Sequence, residues 1–457
     1  YYMWNYHDGG SGRVDYSYFY YASRLFDDPT LASLRDQMLF GDEKLSFSII
    51  DALYYSPELS VGANPDNVKL DYNFKAIDTA TFHSGYEEDS IFTGLHTGPN
   101  HVTHGDMDCG NFTLSMGGVN WVADPGNENY NIPGFWDTGE NGTRYKLYCK
   151  SIEGHNTVMI RNDTTIPRGQ RYTTKSTNYA TIDSFYSDEN GGFAITDMTY
   201  EYGSRCTSGK RGVLLTNSRS TVVLQDEISF SSATDLTWIL NINIQNYKNI
   251  SEDGKTIRVK ALDKNNEIVT LRMTLISDDD SLKFRKMDTY ETVFPTTIIA
   301  NTYNESLAYL AKDPLPRICI EANGVTSFNV AVVFQIEEHT DEIVPYEYTS
   351  MDNWRTETDE WVKEANKDIN YGGAPVVPVT PLGMFQRANQ NLQAAYDSGD
   401  VKKVSEILWD TRDYLLNYNA NNASVAEEAR KYREYRSKYN MMLRAINNSF
   451  KDLLFDR

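Results

Sequence analysis

Two glycines, Gly117-Gly118, separate two runs of strand-like sequence. Phe112-Thr113-Leu114-Ser115-Met116 alternates apolar and polar side chains before them, and Val119 to Ala123 follows them. Alternation with period two sends successive side chains to opposite faces of a pleated strand. Two glycines supply the positive φ angles that a tight connection needs, so the segment specifies an antiparallel hairpin. Similar runs recur at Thr221 to Gln225, Leu236 to Ile244, Ile257 to Ala261, Ile268 to Ile276 and Phe328 to Ile336. Helical periodicity is scarce from about residue 60 to 345. This stretch predicts a mostly β protein built on a large antiparallel β-sandwich.

The flanks read differently. Residues 1–59 read as helical: Tyr16 to Phe26 is an aromatic, apolar-faced run that ends at Asp27. Asp28-Pro29-Thr30 then starts a second helix, with Asp28 as its N-cap and Pro29 at its first position. Leu31, Leu34 and Met38 give that helix its apolar face. Residues 351–380 run from an acidic, helical stretch into Gly372-Gly373-Ala374-Pro375-Val376-Val377-Pro378, a linker. Residues 381–457 read as a helical tail in which Tyr432, Tyr435, Tyr439, Met442, Ile446, Phe450 and Leu453 recur every three or four positions. That face suits a three-helix bundle packed on itself, or a coiled-coil-like contact for self-association. The chain starts Tyr1-Tyr2-Met3-Trp4, which suggests a fragment or a processed form.

Charge removes some function classes. The 43 Lys and Arg residues stand against 64 Asp and Glu, for a net charge of −21, which argues against a nucleic-acid partner. No apolar run approaches the roughly 18 residues of a membrane span. Four cysteines are too few for a disulfide scaffold, and they suit one or two bridges or small buried side chains. The 32 tyrosines fit sugar stacking or an aromatic sandwich core.

Chemistry concentrates in one window. Three of seven histidines, His96, His101 and His104, run into His104-Gly105-Asp106-Met107-Asp108-Cys109-Gly110-Asn111-Phe112. Beyond the hairpin come Asp124-Pro125-Gly126 and Tyr130, then Arg144, Tyr145 and Tyr148, then Glu153-Gly154-His155-Asn156-Thr157. Imidazole and carboxylates together suit a borderline metal such as zinc. Imidazole, phenol and guanidinium together suit proton abstraction beside a carboxylate, because the cations neutralise it and lower the cost of a carbanion-like transition state. A solvated loop is the alternative reading of His-x-Asp-x-Asp. Strict pairing about the hairpin puts Asp124 opposite Asn111, five residues and about 16 Å of strand from Asp106. Asp106 and Asp124 therefore meet only if residues 100–110 fold back, which Gly105 and Gly110 permit. Lys146, Lys150, Arg161, Arg168 and Arg171 form a local basic excess around His155, a groove for an anionic sugar or a solvated charged face.

The ordered series from His104 to Thr157, with Arg211-Gly-Val-Leu-Leu, Val223-Leu-Gln-Asp226-Glu227 and Trp238, resembles the C-terminal sandwich of heparinase II/III-like polysaccharide lyases over roughly residues 65–290. In that family an α/α toroid precedes the sandwich and the active site lies between them. The resemblance implies that 1–59 is the C-terminal end of such a toroid, that 60–350 is the sandwich, and that 351–380 and 381–457 are linker and helical tail. It implies β-elimination on a uronic-acid-containing, anionic polysaccharide, and an extracellular, cell-surface or periplasmic location. It implies His104, Tyr130, Arg144 and Tyr148 as the catalytic group, with Tyr145 the alternative to Tyr148 at the aromatic position before His155-Asn156. It implies Asp106, Asp124 and His155 as ligands of one zinc or similar divalent ion, with Asp108 as a supporting carboxylate. Family members carry a second His where this chain has Asp106, a harder oxygen donor. That departure also suits a non-catalytic glycan-binding or structural module.

Overall fold

The computed structural model describes residues 16–40, 48–63, 68–87, 89–243, 247–263, 265–299, 311–339 and 345–354. The linker and the tail expected over 381–457 lie outside these residues. The described chain falls into two compact units, one holding residues 18–33 and 48–61 and the other holding 16–17, 34–40 and the described residues from 62 to 354. No helix among the described residues is long and apolar enough to cross a membrane.

The N-terminal helices are α1 (Phe19–Phe26), α2 (Pro29–Phe40) and α3 (Ile49–Tyr54). α1 stops at Asp27, whose left-handed φ of 53° breaks the helix. α2 starts at Pro29 as the sequence predicts, and Asp28 Oδ1 accepts from the Thr30 amide at 2.9 Å. A reciprocal Ser48–Asp51 box caps α3. Tyr20 and Tyr21 of α1 pack on Tyr55 and Tyr54 with ring centroids 5.2 and 4.7 Å apart.

The larger unit is mostly β. Five strands form an antiparallel meander in chain order: β1 (Tyr72–Phe74), β2 (Thr79–His83), β3 (Phe92–His96), β4 (Asn111–Met116) and β5 (Val119–Val122). The glycine hairpin joins β4 to β5 with Met116 opposite Val119. A register shift at Trp121 then pairs Leu114 with Val122.

The second sheet holds ten strands. These are β6 (Val158–Ile160), β7 (Ile182–Asp188), β8 (Gly191–Asp197), β9 (Cys206–Thr216), β10 (Thr221–Asn241), β11 (Tyr247–Ile250), β12 (Thr256–Leu262), β13 (Ile268–Ser277), β14 (Phe284–Lys286) and β15 (Arg317–Ile336). Its order is β11-β12-β13-β15-β10-β9-β8-β7, with β6 on β10 and β14 on β15. The long antiparallel pair β10–β15 is its spine, bent by register shifts between Ser229 and Leu236.

Period-two patterning fixes what each face buries. Val222 and Leu224 of β10, with Val330, Val332 and Phe334 of β15, point into the main core beside Leu95, Phe112, Leu114 and Trp121 of the first sheet. Phe112 and Phe334 meet across the sheets at 5.4 Å between centroids. The intervening Val223, Ala331 and Val333 form a separate apolar cluster, with Tyr346 packed on it. All four cysteines, Cys109, Cys149, Cys206 and Cys319, are buried and free. They serve as small core side chains.

Candidate functional site

The segment between β3 and β4 folds back, and named polar groups hold it there. The side-chain carbonyl of Asn100 accepts from the amides of Asp108 and Cys109 at 3.0 and 3.1 Å. The Gly110 amide donates to the His96 carbonyl at 2.9 Å, with Gly110 at φ +80°. Thr157 Oγ1, the Arg211 side chain and the Met198 methyl crowd the space a Gly110 Cβ would need. This turn delivers Asp106 and Asp108 toward the end of β5.

The segment that carries His155 is equally constrained. Gly154 abuts the carbonyl of Tyr148, which leaves no room for a side chain. Asn156 ties three elements together. Its amide nitrogen Nδ2 donates to Phe112 and Ala123 carbonyls at 2.7 and 3.0 Å, and its Oδ1 accepts from the Asn241 amide at 2.6 Å. Behind it, Arg211 donates to both oxygens of Asp226 at 3.1 Å and to the Asn156 carbonyl at 2.9 Å. Trp238 Nε1 donates to Asp226 Oδ2 at 2.9 Å. The residues Arg211, Asp226 and Trp238 thus form the buried base under His155 and Asn156, all fully buried.

Carboxylates and cations then converge. His155 Nδ1 lies 2.8 Å from the Ser151 carbonyl, which only accepts, so Nδ1 carries the proton. Nε2 therefore faces Asp124 Oδ2 at 3.6 Å and Asp106 Oδ2 at 3.8 Å. Nε2 is buried and makes no hydrogen bond. Two carboxylates facing one ring nitrogen form a site that a shared cation would balance. Asp108, Asp124 and His155 each offer one ligand atom, all within 4.8 Å of one another. This oxygen–oxygen–nitrogen set fits a divalent ion.

The expected ligand Asp106 is engaged differently. Arg144 Nη2 donates to its Oδ1 at 3.2 Å and Lys150 Nζ donates to its Oδ2 at 3.0 Å. Asp108 stands with Asp124 and His155 where sequence reasoning put Asp106. Lys150 was read from the sequence only as one cation of a basic run, because nothing in its neighbours marks it as buried.

Next to this cluster a cavity of about 1060 Å³ is lined by His101, His104, Trp136, Arg144, Lys75 and Lys175, among others. His104 has a left-handed φ of 61°, a costly conformation for a residue with a Cβ. Its Nδ1 lies 3.3 Å from the Tyr130 hydroxyl, and its ring lies 6.0 Å from the exposed Trp136. Arg144 is buried under Phe135, its guanidinium 4.6 Å from that ring, and donates to the Gly105 carbonyl at 3.0 Å. His104, Tyr130 and Arg144 are therefore close to one another at the cavity. His96 links cavity and cluster: it lines the cavity, and its Nε2 lies 3.9 Å from Asp108 Oδ2.

Tyr148 departs from its expected role. It is fully buried, donates to Asn241 Oδ1 at 2.6 Å and accepts from the Leu315 amide at 3.2 Å. Burial pushes its phenol well above the ordinary tyrosine range. It belongs to the core, out of reach of a polymer. His101, given no role from sequence, faces the cavity, with Nδ1 2.9 Å from the Tyr145 hydroxyl and its ring stacked on Tyr172 at 4.9 Å.

A two-sheet sandwich with a folded-back Asp loop, an Asp–His–Asn knot and an exposed imidazole–phenol pair defines the class. The family description "heparinase II/III-like, C-terminal" matches residues 77–329, more than half of the chain. The chain belongs to that family. Among solved structures, a mutant heparan sulfate lyase HepC from Pedobacter heparinus is 13% identical with a TM-score of 0.49, the match covering 73% of this chain and 44% of that one. A heparinase III structure is 14% identical with a TM-score of 0.49, covering 76% of this chain and 48% of that one. The chain thus spans less than half the length of either structure. A comparison with curated proteins finds no match.

Proposed function

We propose that this chain is the sandwich part of a polysaccharide lyase that cleaves a uronic-acid-containing glycan by β-elimination. The observation that carries the reading is the His104–Tyr130 pair at the cavity, 3.3 Å apart, beside the Arg144 guanidinium in a chain of this family. Lys75 and Lys175, with Asp78 between them in the lining, leave the cavity a net positive charge for a uronate carboxylate, while Arg144 is buried in its wall and paired to Asp106. Neutralising that carboxylate makes the C5 proton easier to remove. A base among His104 and Tyr130 takes the C5 proton. The C5–H electron pair becomes the C4=C5 double bond, and the C4–O bond breaks as the leaving oxygen gains a proton. The product carries a 4,5-unsaturated uronate. Trp136 offers an exposed ring on which a sugar stacks.

Asp108, Asp124 and His155 would hold a zinc or similar divalent ion, and such an ion would cross-link the folded-back loop to β5 and fix the cavity wall. An extracellular, cell-surface or periplasmic site of action accords with a polymeric substrate.

A second reading is a non-catalytic glycan-binding module. Asp106, where family members carry a metal-binding His, is consumed by Arg144 and Lys150. The test is incubation of the protein, expressed from its complete reading frame, with a panel of uronate glycans. Release of an ultraviolet-absorbing unsaturated product supports the lyase. Binding without such product supports the module.

A further inference from the structure

Lys150 is fully buried, and its ammonium donates to Asp106 Oδ2 at 3.0 Å and to the Gly126 carbonyl at 3.3 Å. Asp106 Oδ2 is also the oxygen that lies 3.8 Å from His155 Nε2. The chain therefore brings an ammonium group of its own against the carboxylate that the family resemblance implies as a metal ligand. Asp106, Asp108 and Asp124, all buried, supply three negative charges, and Arg144 and Lys150 return two positive ones. Most of the charge that would attract a divalent ion is already matched. A divalent ion entering beside the ammonium meets like-charge repulsion in a water-poor site.

We propose that Lys150 is an internal substitute for part of the metal's charge. It withdraws Asp106 from the ligand set and leaves Asp108, Asp124 and His155 as a weak ion site. Removing the ammonium frees Asp106 as a fourth donor and turns the cluster into a tight one. This rests on the reading of Asp108, Asp124 and His155 as an ion site, and the wild-type arm below tests that reading separately.

The experiment is calorimetric titration of chelator-stripped protein with zinc, beside thermal melts with and without chelator. The proteins are wild type, Lys150→Met, and Lys150→Met combined with Asp124→Asn. Lys150→Met should bind zinc about tenfold to a hundredfold tighter than wild type, from relief of like-charge repulsion in a water-poor site. Its melting temperature should fall on chelation while that of wild type moves little. The double variant should lose the tight site. If Lys150→Met fails to fold without metal, zinc should rescue it, and failure of that rescue overturns the proposal. Equal or tighter binding by wild type overturns the role of Lys150 alone. Zinc binding by neither protein overturns the ion site as well. Tight binding retained in the double variant places the ion elsewhere and also overturns it.

Discussion

The hydroxyl of Tyr130 lies 3.3 Å from Nδ1 of His104, and His104 reaches that position through a backbone φ of 61°. A strained left-handed backbone at a residue with a polar side chain in a cavity is the kind of cost that a functional site sustains. His104→Ala should lower glycan turnover by about 10²–10⁴-fold, the usual contribution of a positioned acid or base. Tyr130→Phe should lower it with unchanged unfolding behaviour. Steady-state kinetics beside chemical denaturation reads both effects, and full turnover by either variant removes the pair from the mechanism.

Tyr148 gives the opposite expectation. Tyr148→Phe removes the donor to Asn241 Oδ1 and leaves that oxygen buried. It should cost about 1–3 kcal/mol of stability and leave the pH profile of turnover unchanged. Urea unfolding with a matched pH–rate series separates these readouts.

Much of this was legible in the sequence. The hairpin at Gly117-Gly118 and the start of α2 at Pro29 follow from local turn and cap chemistry, and both are present. The grouping of His104, Tyr130 and Arg144 rests on the family resemblance rather than on spacing. The assignment of Asp106 to the metal and Tyr148 to the cleft does not hold in the geometry. Both errors have one cause: burial and partner choice are long-range properties. Lys150 meets Asp106 across 44 positions, and Asn241 meets Tyr148 across 93. Neither pairing leaves a trace in the spacing of nearby residues. The register shift at Trp121 likewise needs the partner strand to be seen.

The Arg211–Asp226 pair is fully buried and bridges β9 to β10 while holding the Asn156 carbonyl. Asp226→Ala leaves the guanidinium without its counter-charge. The expected loss is about 3–5 kcal/mol of unfolding free energy, as for other broken buried pairs. Chemical denaturation measures it. A loss below about 1 kcal/mol would mean that water reaches Arg211 in the variant.

Burial pushes the Glu201 carboxyl up to about 8, while the Ala180 amide at 3.2 Å opposes the rise only in part. The folded protein therefore binds this proton more tightly than the unfolded chain does. Its stabilising contribution is fully present below the ordinary glutamate range near 4.5 and is lost as pH rises through about 8. Unfolding free energy should fall over that window in wild type, and the fall should flatten in Glu201→Gln. A parallel pH dependence in both proteins would assign it to other groups.

Trp136 is 60% exposed beside His104. Trp136→Ala should weaken glycan binding by about 0.5–1.5 kcal/mol if a sugar stacks there and shift the unfolding midpoint little. Calorimetric titration with acidic oligosaccharides checks the first effect and a thermal melt the second.

Lyase action itself is tested most directly by ultraviolet absorbance during incubation of the protein, expressed from its complete reading frame, with uronate-containing glycans. β-Elimination predicts steady growth of the unsaturated-uronate absorbance with at least one glycan, reduced about 10²-fold or more in His104→Ala. Absence of that absorbance with every glycan, while calorimetry still shows binding, would contradict it and leave the sandwich as a glycan-binding module.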